Sequence, residues 1–419
     1  METSTAVAAA LTEGLRRAGA GGDVVPGVPA GYGVAGPAPV CAIRPRDEAG
    51  VAAVLGTAAA EGWTVVVRGA GTLDRSGAPV ARGPAIVLDA RGLSGVVSHA
   101  PGDLTIRVRP GGGLQSLNRA LRAHGQHLAL RPPGGTLATI GGTVGGDAWG
   151  PERLAWGAPR DIVLGLRVVD GRGQAFNTGG HVVKNVSGLD IGKLFVGSFG
   201  TLGVLTEVSL RLRPLAPARA LWAARASDAA AAWKAVRAML DPEFQPVGLA
   251  LDWRGESPVV SVALEGVDRE LQAQLPRLGD LVGTGDLLPA AATEDAWAAA
   301  HEPAPFAAWA LLRCEVSDGA LEELYGQVVA RPECRRCLAW PGLGTLWCAL
   351  AAGSEDALRA LRGAAEAAGG RAILVQAPDP LPLDFPPFGD TGALTPLLAG
   401  IKRRFDPSGI LAPGRMLPA

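Results

Sequence analysis

The chain has 419 residues, of which 48% are hydrophobic, 19% charged and 5% aromatic. That length predicts two or three domains with real cores, and 59 glycines with 33 prolines stay below the ~25–30% that marks low complexity. A formal net charge of -1 excludes the basic footprint of a nucleic-acid or anionic-membrane binder.

A strand is predicted at 39–44, stopped by Pro45. Val51, Val54, Leu55 and Ala58 then recur at helical spacing, and Gly62 closes that helix. The apolar run 64–67 leads straight into Arg68-Gly69-Ala70-Gly71-Thr72. Further strands are predicted at 85–89, 104–109, 161–170 and 202–213, with a helix at 114–123 after Gly111-Gly112-Gly113. Strands alternating with helices predict an α/β or α+β domain. After Arg213-Pro214-Leu215-Ala216-Pro217 the texture changes. Alanine-rich helices at 226–240 and 352–368 alternate with strands at 247–251, 259–264, 308–314 and 372–375, and a hairpin spans 338–350. The Pro-rich stretch 377–388 reads as a linker, and a short helix opens the last segment, 397–419.

The uncharged stretch 337–354 is cut by Pro341-Gly342-Leu343-Gly344, so no membrane-spanning segment is expected. The first twenty residues lack a basic start and an unbroken apolar run, so no secretory leader is expected. Five cysteines, sparse and odd in number, fit a reducing compartment. A soluble cytoplasmic protein is the expectation.

Three glycine-rich loops stand out. The first, 65–77, follows a strand, so consecutive amides can point into one concavity and bind a diphosphate without lysines. Gly77 and Pro79 follow too soon for a helix, so the dinucleotide fingerprint of a Rossmann turn fails its context test. Alone, this loop would read as an ordinary glycine turn. A second loop runs Pro132-Pro133-Gly134-Gly135-Thr136-Leu137-Ala138-Thr139-Ile140-Gly141-Gly142. A third, Gly197-Ser198-Phe199-Gly200-Thr201-Leu202-Gly203-Val204, enters a strand. Three such loops in one domain suggest a long ligand touched along its length, such as a flavin dinucleotide.

In their order, these motifs resemble the FAD-binding (PCMH-type) domain of the vanillyl-alcohol-oxidase-type flavoproteins. GGHVVKNVSGLDIGKLFVGSFGTLG (179–203) and the carboxyl-terminal FDPSGILAPGRM (405–416) resemble, more narrowly, the small FAD-binding subunits of bacterial glycolate oxidases. The resemblance covers about 39–215 and the last twenty residues; the middle matches only in length and texture. It implies an α+β fold with a two-subdomain FAD-binding domain over 1–215, a smaller α+β cap over 216–395, and a segment 396–419 returning to the first. It implies FAD wrapped at its pyrophosphate by Arg68, Gly69, Ala70, Gly71 and Thr72. Pro133, Gly134, Thr139, Ile140, Gly141, Gly142, Gly200, Thr201, Gly203 and Val204 complete the expected cofactor site. Covalent relatives often carry a histidine in the first loop; here Ala70 and Gly71 stand there, so non-covalent FAD is expected. Where the family usually has Asn-Pro-Gly, this chain has Ala412-Pro413-Gly414, which removes an expected polar contact.

The resemblance further implies glycolate or another 2-hydroxy acid as substrate, a larger FAD-linked catalytic subunit and an iron–sulfur subunit as partners, and membrane association only through partners. A self-sufficient FAD-linked oxidase or dehydrogenase, or a redox-inactive structural subunit, are the alternatives. Hydroxy-acid oxidation needs a proton acceptor. The histidine-rich H-x-G-D-G motif of related catalytic subunits is absent, and tyrosine occurs only at Tyr32 and Tyr325. No catalytic residue is assigned. His181 precedes a segment that could approach the flavin, and the spacing of His124 and His127 is broken by Gly125. Cys334 and Cys337 form a single C-x2-C unit which, with Cys314 and Cys348, could hold a metal; core packing on strands is the preferred reading, and no metal is expected.

Overall fold

The structure, a computed structural model, describes residues 2–27, 38–80, 84–180, 190–283, 285–288, 297, 301–303, 310–351, 353–376 and 385–416. The amino-terminal helix Glu2–Arg17 buries Val7, Leu11 and Leu15, one stripe at helical spacing, against the first sheet. That sheet contains β1 (Gly22–Pro26), β2 (Cys41–Pro45), β3 (Thr64–Arg68) and β4 (Ala85–Asp89) in the order β1-β2-β4-β3. β4 runs parallel to both β2 and β3. Between β2 and β3 lies the helix Glu48–Glu61, begun by Asp47, whose side chain accepts from the Gly50 amide, and ended by Gly62 at φ 69°. Its buried positions include Val51, Val54, Leu55 and Ala58, as their spacing predicts.

The second sheet takes β5 (Val96–Ala100), β6 (Thr105–Val108), β8 (Val163–Asp170), β9 (Ala175–Gly179) and β10 (Gly203–Arg211) in the order β5-β6-β10-β8-β9. A two-residue pair, β7 (Gln126–His127) with β11 (Arg213–Pro214), forms a separate two-stranded sheet. Ile106, Val108, Val168, Val208 and Leu210 form its core with Leu117 and Leu121 of the helix Leu114–Leu121.

Residues 218–376 supply the third sheet: β12 (Ala218–Arg225), β13 (Gly248–Trp253), β14 (Val259–Gly266), β15 (Asp286–Leu288), β16 (Ala310–Glu315), β17 (Cys334–Trp340), β18 (Thr345–Leu350) and β19 (Arg371–Gln376). Their order is β15-β12-β14-β13-β17-β18-β16-β19, antiparallel throughout. One face packs under the helices Ala229–Met239, Asp268–Val282, Asp318–Val329 and Glu355–Ala367. The other face meets the first half of the chain, where Trp149 and Ala158 pack with Leu338, Trp340 and Trp347, and Ala129 and Trp156 with Leu221 and Val247.

Sequence periodicity misses several elements. β12 reads ARALWAAR, and its alternation is blurred because the sheet is buried on both faces. The helix Asp268–Val282 contains Pro276 and buries only Leu271 and Leu278. Most of the predicted linker, 377–384, lies outside the described residues, while Phe385 is buried with Arg362 stacked 3.6 Å above its ring. The closing helix spans Thr395–Phe405.

Candidate functional site

The carboxyl end of β3 and the start of β10 open into one cleft of about 740 Å³, measured out to bulk solvent. All five residues of the first loop, 68–72, line it. So do Thr139, Gly141 and Gly142 from the second loop and Gly200 and Gly203 from the third. The second loop is held by Thr139, which caps the short helix Ile140–Gly145 by accepting from the Gly142 amide at 3.1 Å. Among the described residues, none accepts a hydrogen bond from the amides of Gly69, Ala70, Gly71 or Thr72. Consecutive unpaired amides beside a cleft form an anion-binding concavity.

Charge agrees with this. Arg68 is buried and its Nε donates to Asp74 at 2.7 Å. Arg415, from the far end of the chain, is also buried and donates to the carbonyls of Leu73 at 3.0 Å and Ser76 at 3.2 Å. Burial pushes the Asp74 carboxyl up, while Arg68 and Arg415 pull it back. Two guanidinium groups against one carboxylate leave the cleft with a positive surplus. Asp74, Arg415, Ser198 and Phe199 also line it and were not picked out from sequence. Arg415 carried a signal, since it stands in the ending GRM that shares the family resemblance.

Five expected cofactor residues do not line the cleft. Ile140 and Val204 are core side chains, 1% and 0% exposed, because each alternates inward from a cleft-lining neighbour. Thr201 is buried and spends its hydroxyl on the Ser198 carbonyl at 2.7 Å. Pro133 lines a smaller pocket with Glu152 and His301, on the side facing the third sheet. Gly134 uses its amide on the Glu302 carboxylate at 2.7 Å. The amides of Gly141 and Gly142 are also committed, to Pro110 and Thr139, so these residues offer close approach rather than free donors.

The carboxyl-terminal segment returns beside β3, where Val65 donates to Ile410 at 2.8 Å and receives from Ala412 at 2.9 Å. Ala412 sits at φ 39° and packs with Val66 and Val80. No polar side chain occupies that position. His181 lies outside the described residues, as does Tyr32. His99 meets Gln126 at 3.0 Å and stacks edge-on to His124, whereas His127 packs on Trp156; His124 and His127 form no pair. His301 Nδ1 donates to the Trp297 carbonyl at 2.6 Å, and burial holds its pKa down to about 4. Tyr325 is buried in the third-sheet core. Cys314, Cys334, Cys337 and Cys348 share that core as free thiols; Cys314 is hydrogen-bonded to Cys348, and burial pushes the Cys334 thiol up to about 12. Among the described residues that line the cleft there is no histidine, cysteine or tyrosine.

Residues 39–179 match the family described as FAD binding domain, so the chain carries an FAD-binding domain. It is 44% identical to glycolate oxidase subunit GlcE of Escherichia coli strain K12 over 128 residues, 30% of this chain and 37% of that protein. It is 33% identical to glycolate oxidase subunit GlcD of Bacillus subtilis strain 168 over 176 residues, 42% of this chain and 37% of that protein. The matches thus span little more than a third of either relative's own length. Among solved structures, an alkyldihydroxyacetonephosphate synthase superposes with a TM-score of 0.68 at 15% identity, over 90% of this chain and 76% of that one. That likeness shows the fold, the mixed α and β architecture of a PCMH-type FAD-binding protein.

Proposed function

We propose that this chain is the FAD-binding subunit of a complex that oxidises a 2-hydroxy acid such as glycolate and passes the electrons to an iron–sulfur partner. The observation that carries the reading is the row of unpaired amides at 69–72 beside the Arg68, Asp74 and Arg415 cluster, inside a matched FAD-binding domain. A diphosphate fits that concavity and charge. FAD held there would supply the two-electron acceptor for the hydroxy acid. The chain's own residues bind and orient it: 68–72 at the pyrophosphate, with Thr139, Gly141, Gly142, Gly200 and Gly203 along the ribityl chain and ring. Non-covalent attachment is part of the proposal, supported by Ala70 and Gly71 in the first loop, where covalent relatives often carry a histidine.

The domain division fits the same reading, with 1–215 holding FAD, 216–395 covering it, and 396–419 returning to the first part. A larger FAD-linked subunit and an iron–sulfur subunit are the proposed partners, supported by the names of the two glycolate oxidase relatives. A cytoplasmic complex fits too; among the described residues no helix is long and apolar enough to cross a membrane.

The test is direct. Purified protein is yellow, and acid precipitation leaves the FAD in the supernatant; flavin retained by the pellet overturns non-covalent attachment. Anaerobic bleaching of the flavin by glycolate or D-lactate is slow with the isolated chain and fast with the partner subunits added. Rapid bleaching by the chain alone overturns the dependence on partners. A colourless protein that takes up no FAD overturns the whole reading.

A further inference from the structure

The closing helix Thr395–Phe405 carries an apolar stripe that the rest of the chain covers only in part. Leu394 at its start, then Leu397, Ile401 and Phe405, follow at helical spacing, which places all four on one face. At the far end that face is occupied. Ile401 and Phe405 pack against the second-sheet core, and the Phe405 ring meets Phe195 at 5.1 Å and Phe176 at 6.0 Å. At the near end it is bare. Leu394 is 59% exposed and Leu397 61%, and the helix has no fully buried residue. A second exposed pair, Ile191 and Leu194, lies on the short turn Ile191–Leu194 that runs into Phe195. The two pairs thus stand on the two elements that the Phe195–Phe405 contact joins. At the rise of a helix, Leu397 is about 12 Å along the axis from Phe405.

The charge around these side chains is mostly positive. Arg403 and Arg404 are exposed in the last turn of the helix, and Arg172, between β8 and β9, donates to the Arg404 carbonyl at 2.6 Å. Beside the other pair, Lys193 donates to the carbonyl of the exposed Arg160 at 2.5 Å. Among the described residues, the guanidinium groups of Arg160, Arg172, Arg403 and Arg404 meet no carboxylate. By contrast, Arg16 and Arg17 hold Glu13, Arg277 holds Glu243, and Arg371 holds Glu315. Of the nearby acids, Asp190 offsets Lys193 at 3.8 Å, and Asp390 accepts from the Gly392 amide. The dipole of the helix accounts for Arg403 and Arg404 at its end, but Arg160 and Arg172 stand on other elements. In a chain of net charge -1, the surplus is local.

An apolar face edged by unpaired guanidinium groups is the complement of an amphipathic helix with aliphatic side chains on one side and carboxylates along its margins. A second copy of this chain would bring arginine against arginine, so charge disfavours it as the occupant. We infer that the bare half of the closing helix, with Ile191 and Leu194, docks an acidic amphipathic helix of a partner subunit. The inference rests on the reading of this chain as one subunit of an oxidising complex, and it names the surface of assembly. None of Ile191, Leu194, Leu394 and Leu397 lines the cleft, so docking here leaves the FAD site open.

The experiment places a photoreactive group on the bare face. The five native cysteines are buried free thiols, so Leu397→Cys adds an accessible one that benzophenone maleimide labels selectively. Irradiated together with the larger FAD-linked subunit and the iron–sulfur subunit, it is expected to crosslink to a helical segment rich in Asp and Glu. A crosslink into a second copy of this chain, or into a basic segment, overturns the inference. Affinity for the same two subunits is measured by surface plasmon resonance. Leu394→Asp combined with Leu397→Asp weakens binding at least about thirtyfold, the loss of a central apolar anchor. Arg403→Glu combined with Arg404→Glu weakens it about tenfold at low salt and flattens the salt dependence of the wild type. These four side chains are exposed and lie outside the cleft, so Tm and FAD uptake stay unchanged in both variants. Undiminished binding by either folded variant overturns this surface and leaves the proposed function standing. A wild-type chain that takes up FAD but binds neither subunit overturns the dependence on partners and this surface with it.

Discussion

A β-carbon on Gly69 would run into Thr139 Oγ1, so the first glycine loop packs directly against the Thr139 side chain of the second. A β-carbon on Gly71, at φ 88°, would meet the Arg68 guanidinium and the Asp74 carboxylate. Both glycines are therefore demanded by packing within the protein, before any phosphate approaches. Gly69→Ala should destabilise the chain by about 1–3 kcal/mol through overpacking. Thr139→Ala should cost about 1 kcal/mol through loss of the helix cap. Because the second change removes the atom that obstructs the first, the double variant should lose clearly less than the sum. Urea unfolding of the four proteins measures this coupling, and strict additivity would mean that the two loops are not in contact. The density of glycine in these loops is legible in the sequence. Which neighbour each glycine makes room for is not, since the neighbour lies in another loop.

At the scale of elements, the returning carboxyl-terminal segment sets the shape of the first loop. Asp406, just after the helix Thr395–Phe405, is fully buried and accepts from Lys402 Nζ at 2.5 Å, the Ile410 amide at 3.1 Å and the Leu411 amide at 2.8 Å. Lys402 also donates to the carbonyls of Thr201 at 2.7 Å and Leu411 at 2.6 Å, tying the third loop to the same hub. From there the chain brackets β3 and delivers Arg415 to the first loop. Asp406→Ala leaves a buried ammonium without its carboxylate, so a loss of about 3 kcal/mol is expected. FAD affinity should fall with it, because Arg415 loses its support. Denaturant unfolding and flavin fluorescence titration read the two effects, and normal FAD affinity in the folded variant would disconnect Asp406 from the site. The helix Glu48–Glu61 was legible because its cap, stripe and terminal glycine are all local signals. β12 was not, because a strand buried on both faces loses the alternation that marks a strand.

On the scale of the whole molecule, stability depends on the joint between the third sheet and the first half. His301 is buried at that joint, and desolvation lowers its pKa from 6.5 to about 4. The folded state therefore keeps the imidazole neutral while the unfolded state takes a proton below pH 6.5. Its contribution is fully present above about pH 6.5 and is lost as pH falls toward 4, by roughly 3 kcal/mol at the limit. His301→Gln should flatten this part of the pH profile. Unfolding free energies measured in urea between pH 7.5 and 4.5 test it; an equally steep loss in the variant would assign the acid sensitivity to other groups. Glu302 beside it, its carboxyl pushed up by burial, holds the Gly134 amide and so couples the joint to the second loop.

The sequence by itself determined that there are three glycine loops, where they follow or enter strands, and that their order resembles an FAD-binding domain. Those features are local: strand, turn and cap propensities act over a few residues and survive translation into a pattern. The tertiary structure decided which loop residues face the cleft, turning Ile140 and Val204 into the core while Gly141 and Gly203 line the opening. It also decided that Arg415, from the far end of the chain, stands beside the first loop, and that Glu302 holds the Gly134 amide. Each of these is a contact between residues far apart in the chain. Burial and unpaired hydrogen-bonding groups define such contacts, and neither exists until the chain has folded.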